Sequence, residues 1–456
     1  MLHAAKLALV LCLPALLIPV SLRGATLRAG VAKVDITPPP GEKMWGYFNR
    51  LAPAKGTLDP LYARVLVLEV GEKRLALVVL DLGRTFGPAS LERIREAARK
   101  ASGISYVLVQ ATHTHAGPVI LDEYPSGVPA WERAAIEKIG RAIDEAYQHA
   151  VEARLGAGAG VAYIGYNRRR VNPDGTVTMF WRNATRVPTA PVDPTVSVLR
   201  VDTAEGKPLA VLVNYSCHPV VFGADNLQYS ADFPGVMSKT VEQAFTQSSS
   251  APPLCFFLQG APGDINVYDA TTPLEQDAVK KRDWSGEQLG QEAGRVAKQI
   301  RTETDPNPTL DFAEDTLTFH LRWNPEKLRQ GLLAAYSAEI FEIFAPYIRE
   351  EIPLLVTTLL INKRIAVMTM PGEPFVDFQI NWRDRCPLPE AFFLGYANGY
   401  VAYFPTIKAA SEGGYGTASA TTWAEVGAGE RMVDHALVRV YEMLGRLTDV
   451  PEDLKK

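Results

Sequence analysis

Strand-like and helix-like stretches alternate along this chain. Apolar runs of strand type occupy 74–83 (RLALVVLDLG) and 105–115 (SYVLVQATHTH). Between them, SLERIREAARKAS (90–102) carries the apolar stripe of an amphipathic helix. A second stripe over 130–155 (AWERAAIEKIGRAIDEAYQHAVEARL) predicts one long helix. Residues 196–219 read as a hairpin that turns at Glu205-Gly206 and ends in Cys-His-Pro. LCFFLQ (254–259) is another buried strand, running into the loop GAPGDIN. Residues 284–304 and 429–447 predict helices, and 353–375 a second hairpin turning at Asn362-Lys363. GAGAG (156–160) lacks the strand–loop–helix setting of a nucleotide site and reads as a turn before a strand.

Strand after strand ends in a short polar loop holding Gly or Pro: DLGRT, THTHAGP, SCHPVVFGADN, QGAPGDIN, MPGEPF and YANGYVAYFP. Active sites are commonly assembled from such loops, on a scaffold that holds them still. The hairpins argue against a purely parallel sheet. The expectation is an α/β protein: one large domain of mixed β-sheets covered by helices, with its site built from strand-end loops.

Composition narrows the partners. The chain has 456 residues, 47% hydrophobic and 21% charged, with a net charge of −4 spread without basic blocks. Nothing in that pattern suits nucleic acid, and none of it indicates a protein partner. The first 25 residues differ from the rest. Lys6 precedes an apolar run from Leu7 to Val20, and small residues follow at Gly24 and Ala25. That layout predicts a signal peptide over 1–25, a catalytic domain over 26–456 and a secreted or periplasmic location. Three cysteines then remain, Cys217, Cys255 and Cys386, with no C-x-x-C pair, so a disulfide framework is not indicated.

The chemistry concentrates in ATHTHAGP (111–118). In extended backbone, residues i and i+2 face one side, so His113 and His115 can share a pocket. His218 ends a separate strand and Glu373 a third. Histidines plus a carboxylate, with one position left open, are the make-up of a catalytic zinc site. Such a metal polarises a carbonyl and lowers the pKa of water. Each residue also has a plainer role: His218 as a hydrogen-bonding residue, Glu373 as a turn residue, Asp232 as the cap of the helix that follows. No G-x-S-x-G elbow precedes a helix, which argues against a serine hydrolase.

Nine segments in order carry a resemblance: VAKVDITPPPGEKMWGY, LYARVLVLE, ALVVLDLG, ATHTHAGP, YNRRR, NYSCHPVVFGADNLQYSADFPG, FFLQGAPGDIN, MPGEPF and GYANGYVAYFP. Together they resemble the N-terminal catalytic domain of the neutral/alkaline (non-lysosomal) ceramidases, over about residues 29–447. The resemblance implies one Zn2+ held by His113, His218, Glu373 and Tyr403. It implies that His115, Arg168 and Tyr415 contact substrate or stabilise charge. Asp232 is expected to orient a ligand from behind. Where the family's amidases carry a serine in the QGAPGDIN loop, this chain has Asn266. The resemblance further implies a compact relative without the immunoglobulin-like domain that follows in ceramidases proper.

The function expected is zinc-dependent hydrolysis of an N-acyl amide, ceramide-like or another small-molecule or lipid substrate, with peripheral membrane contact. Two alternatives stay open. Asn266 permits a metal-dependent hydrolase of an ester, lactone or sugar-linked acyl group. A non-catalytic metal-containing binding protein is the third reading.

Overall fold

The computed structural model describes residues 25–246, 251–418, 420–447, 450, 451 and 454. The segment predicted as a signal peptide lies, up to residue 24, outside the described residues. No helix among the described residues is long and apolar enough to cross a membrane.

Twelve longer strands make two sheets. The first holds β1 (Leu27–Asp35), β2 (Tyr62–Val70), β3 (Lys73–Leu80), β4 (Tyr106–Ala111), β5 (Val151–Val161), β6 (Thr195–Thr203), β7 (Pro208–Tyr215) and β8 (Leu254–Gln259). Their order is β8-β7-β6-β5-β1-β2-β3-β4. The second holds β9 (Leu310–His320), β10 (Glu351–Ile361), β11 (Ile365–Thr369) and β12 (Glu390–Leu394), in that order. Most neighbours are antiparallel, but β3/β4, β7/β8 and β11/β12 are parallel pairs. The sheets are therefore mixed, as the hairpins in the sequence require.

Alternation along the strands sets the layers. Leu66 and Leu68 of β2 face the second sheet in a cluster with Leu359, Ile365 and Phe392. Val65 and Val67 point the other way, onto α1 (Pro88–Ser102) and α2 (Ala130–Gln148). The β6 and β7 half of the same sheet is covered by α3 (Asp232–Ala244) and α4 (Ala278–Gln299). Helices α5 (Pro325–Ala335) and α6 (Ala338–Phe344) follow β9. Three more complete the chain: α7 (Val376–Arg385), α8 (Ile407–Glu412) and α9 (Ala428–Met443). Of these, α7 and α9 pack on the outer face of the second sheet. The order of layers is helix, sheet, sheet, helix, with an apolar seam between the two sheets.

Two sequence expectations need correction. The helix predicted over 130–155 stops at Gln148, and 151–155 begin β5. The apolar stripe continues across that boundary because Val151, Ala153 and Leu155 alternate, and over five residues the two periods are hard to tell apart. GAGAG is not a turn either, since all of it lies inside β5. A Cβ at Gly156 would sit 2.5 Å from the Arg301 carbonyl oxygen, and one at Gly160 would sit 2.6 Å from Val296 Cγ2. The missing side chains let α4 and the chain leaving it lie directly on the strand.

Gly156→Val should therefore destabilise the fold by about 1–3 kcal/mol through overpacking. Gly331, in α5 with open space around its Cα, should behave oppositely, and Gly331→Ala should add about 0.5–1 kcal/mol. Urea denaturation midpoints of both variants against the native protein check this pair.

Candidate metal centre

The three parallel pairs explain where the site lies. A parallel pair points both carboxyl ends the same way, and the loops leaving those ends meet. His113 follows β4, His218 follows β7, Asn266 follows β8, Glu373 follows β11, and Tyr403 follows β12. Two short bridges complete the convergence. Residues 373–374 pair in parallel with 403–404, which sets Glu373 opposite Tyr403. His218 bridges Asn266.

The ligand atoms of His113, His115 and His218 all lie within 4.8 Å of one another. His113 Nδ1 is 2.6 Å from the Gly83 carbonyl oxygen, and His218 Nδ1 is 3.0 Å from that of Ile265. A carbonyl can only accept, so both Nδ1 atoms carry a proton, and in the neutral ring each Nε2 presents a bare lone pair. Those lone pairs face more lone pairs. His218 Nε2 lies 3.0 Å from Glu373 Oε2, and His113 Nε2 lies 3.5 Å from it. Burial, aided by the nearby Arg168 charge, pushes His218 down to about 4. At neutral pH no proton on His218 fills that gap. A buried arrangement of two imidazole lone pairs and a carboxylate fits a divalent cation, whose charge would satisfy all three.

His115 differs from the other two. Its Nε2 is 3.1 Å from His113 Nε2, but its buried Nδ1 has no partner. Nothing fixes its tautomer as backbone carbonyls fix the others. Burial first, then the neighbouring His113 and His218, hold it well below the usual imidazole range. Its neutral form is thereby favoured.

Arg168 ties the far wall together. Its guanidinium donates to the Gly263 carbonyl at 2.6 Å, to Tyr403 Oη at 3.1 Å and to Asn266 Oδ1 at 3.3 Å. It also lies 5.1 Å from the Tyr415 ring centroid, and Tyr415 packs edge-on against Tyr403. Asn266 is thus buried against Arg168, with its amide already engaged. Asp232 sits apart from this group. Its carboxylate accepts from the backbone N–H of Val221 at 3.1 Å and of Phe233 at 2.6 Å. It holds the loop after His218 without touching the imidazole, and burial pushes it up to about 6. It is the first residue of α3 but does not act as a side-chain cap for that helix.

Two tyrosines of the site escaped the sequence reading. Tyr396 stacks on His113 with centroids 4.0 Å apart and donates to Glu373 Oε2 at 3.2 Å. Tyr400 donates to Glu373 Oε1. Between them they orient the carboxylate. Their signal lay in GYANGYVAYFP, where three tyrosines recur at spacings of four and three. A tyrosine in an apolar run is more often core, and the sequence alone does not distinguish the two. His113, Tyr396 and Ala402 all have positive φ, so strain gathers here.

A cavity of about 310 Å³ opens above the cluster. His113, His115, Glu373, Tyr403 and Tyr415 line it at one end, and Trp45, Phe48, Phe344 and Trp423 form aromatic walls.

The model of the neutral/alkaline non-lysosomal ceramidase N-terminal domain matches residues 27–276, more than half of the chain. The chain belongs to the neutral/alkaline non-lysosomal ceramidase family. The match includes His113, His115, Arg168, His218, Asp232 and Asn266; Glu373, Tyr403 and Tyr415 lie beyond it. The fold is that of solved ceramidases over nearly the full chain. Neutral ceramidase from Pseudomonas aeruginosa superposes with a TM-score of 0.72 at 19% identity, covering 93% of this chain and 76% of that one. A ceramidase complexed with C2 gives 0.71 at 20% identity, covering 94% and 76%.

This ceramidase-family chain should bind one divalent metal ion. His113→Ala and His218→Ala should each abolish that binding, as read by elemental analysis of purified protein. Full metal content in both variants would remove the assignment.

Proposed function

We propose that the protein is a zinc-dependent hydrolase of N-acyl amides, acting on a ceramide-like or other N-acyl substrate. Family membership supports the reaction class. The single observation that carries the reading is the cation-fitting cluster at the end of an aromatic-walled cavity of about 310 Å³, the make-up expected of a small-molecule site. His113, His218, Glu373 and Tyr403 would hold the ion, and Asp232 would steady His218 through the loop behind it. When bound, the ion would polarise the amide carbonyl and lower the pKa of water. Imidazole and carboxylate donors suit zinc.

The chain's own groups then divide the work. The aromatic walls hold the apolar part of the substrate and exclude bulk water. His115, in its neutral form, takes a proton from the attacking water at Nε2, the nitrogen that faces the cluster, and returns it to the departing amine. The C–N bond breaks, the water oxygen stays with the acyl carbon, and the products are an acid and an amine. Tyr415 donates to the oxygen on which negative charge develops, and Arg168 keeps Tyr403 and Tyr415 in place.

Asn266 gives the ester reading its footing. The amide side chain is spent on Arg168 and supplies no hydroxyl nucleophile. Water attack needs none, so amide hydrolysis stands without the serine. The N-terminal apolar segment supports export, to the periplasm or outside the cell.

His115→Ala should keep the metal and lose activity by about 10²–10³-fold, in the range of losing one transition-state donor. Rates on matched N-acyl amides and O-acyl esters, with metal content measured on the same samples, test both points. Wild-type turnover by the variant would return His115 to a structural role. Cleavage of esters alone would move the function to the second reading.

A further inference from the structure

Two imidazoles can share a cation only if the loops that carry them keep a fixed separation. His113 follows β4 and His218 follows β7. In the strand order, β4 lies at one edge of the eight-stranded sheet, and β7 and β8 lie at the other. No strand pairing joins β4 to β8 among the described residues. Side chains join them instead, at the end of the sheet that bears the site. Gln110 of β4 donates through Nε2 to the Gln259 carbonyl of β8 at 2.7 Å and to the Gly395 carbonyl at 3.0 Å. Gln259, fully buried, reaches back the other way.

The side-chain amide of Gln259 engages both ligand loops at once. Its Nε2 donates to the Thr112 carbonyl at 3.0 Å and to the Cys217 carbonyl at 2.9 Å, and its Oε1 accepts from the Cys217 N–H at 3.3 Å. A carbonyl only accepts and a backbone N–H only donates, so the chemistry of its partners forces this orientation of the amide. Thr112 and Cys217 each stand directly before a proposed ligand. The peptide unit entering His113 is thus held at both polar atoms, its carbonyl by Gln259 and its N–H by the Leu82 carbonyl at 2.9 Å. The unit entering His218 is held likewise, by Gln259 and by the Ile265 carbonyl at 3.0 Å. The first of these planes bears on φ of His113, which is positive at 71°. A non-glycine residue keeps such a φ only where its surroundings over-determine it. The two imidazoles end with ring centroids 4.9 Å apart.

Asn214 supplies the comparison. It is likewise a buried amide. Its Nδ2 donates to the carbonyls of Leu258 and Phe393, each at 2.9 Å, and its Oδ1 accepts from the Phe393 N–H at 3.4 Å. The bonding pattern is the same, but neither partner adjoins a proposed ligand. Asn214 ties strands together, whereas Gln259 ties together the two peptide units that aim the histidines.

We propose that Gln259 is a positioning residue of the metal centre, whose single amide fixes His113 and His218 relative to one another. The inference rests on the metal reading of the cluster and extends it to a side chain that bonds to neither imidazole.

Gln259→Glu keeps the shape and removes both donations, and Gln259→Met removes them without adding a charge. Asn214→Asp is the control. Zinc affinity is measured on the full chain by competition with a chromophoric chelator, well below each variant's unfolding temperature, with urea denaturation of the metal-free proteins alongside. Both Gln259 variants should lose zinc affinity by about 10-fold to 100-fold, the range for groups that orient metal ligands. Asn214→Asp should lose stability and keep the native affinity. Native affinity in a folded Gln259 variant would overturn the proposal. So would an equal loss in Asn214→Asp, because that loss would follow from stability alone. Failure of both Gln259 variants to fold would make the clamp a requirement of the fold and overturns the proposal as well. Should the control not fold, the Gln259 variants against the native protein decide. If the native protein takes up no zinc, the metal reading fails, and proton NMR of the metal-free proteins decides the clamp separately. The Nδ1–H protons of His113 and His218, bonded to carbonyls, then report the geometry as downfield resonances. Loss of either in Gln259→Met, with both kept in Asn214→Asp, upholds positioning. Retention of both in Gln259→Met, or their loss in the control as well, overturns it.

Discussion

The site depends on two imidazoles and a carboxylate that the fold turns toward one another in a buried place. Backbone carbonyls of Gly83 and Ile265 take the Nδ1 protons of His113 and His218. Both remaining lone pairs then face the Glu373 carboxylate across 3.0–3.5 Å. Such a donor set, in a buried place, suits a divalent cation. With one, each group has its partner. The orientation of Glu373 by Tyr396 and Tyr400, the positive φ of His113 and the grip of Arg168 on Tyr403 all serve that geometry. Positive φ at a non-glycine residue costs of order 1–3 kcal/mol and persists only where the surroundings over-determine it.

Parallel pairing within an otherwise antiparallel scaffold makes the convergence possible. Antiparallel neighbours send their carboxyl ends to opposite edges. In each of the pairs β3/β4, β7/β8 and β11/β12 both carboxyl ends leave by the same edge, and every proposed ligand leaves from such a strand or the loop after it. The seam between the two sheets fixes them relative to one another. A ligand from the second sheet, Glu373, can thereby meet ligands from the first.

Charge is distributed unevenly around the cavity. Most buried arginines are neutralised by the chain itself, as desolvation demands. Those left without a carboxylate, Arg50 and Arg168, both border the metal cluster. Both donate instead to uncharged oxygens around the site: Arg168 to Gly263, Tyr403 and Asn266, and Arg50 to the carbonyls of Trp45, His115 and Asn226.

Short-range pattern was sufficient for much of this protein. Alternation and apolar runs identified the hairpins around 205–206 and 362–363, the strands leading to His113 and Asn266, and the α/β class, because burial on a sheet writes a local period into the sequence. Motifs at strand ends, with the family resemblance, named His113, His115, His218 and Glu373, which the fold brings together. Three things required the tertiary structure. β5 had to be seen under α4 before GAGAG made sense, since glycine there answers to a helix distant in sequence. Tyr396 and Tyr400 looked like core until Glu373, contributed by another strand, came within hydrogen-bond reach. Arg50, which the sequence pattern did not single out, is buried with its guanidinium on the carbonyls of Trp45, His115 and Asn226. Each of these depends on what lies opposite a residue in space, and a one-dimensional pattern does not carry that information.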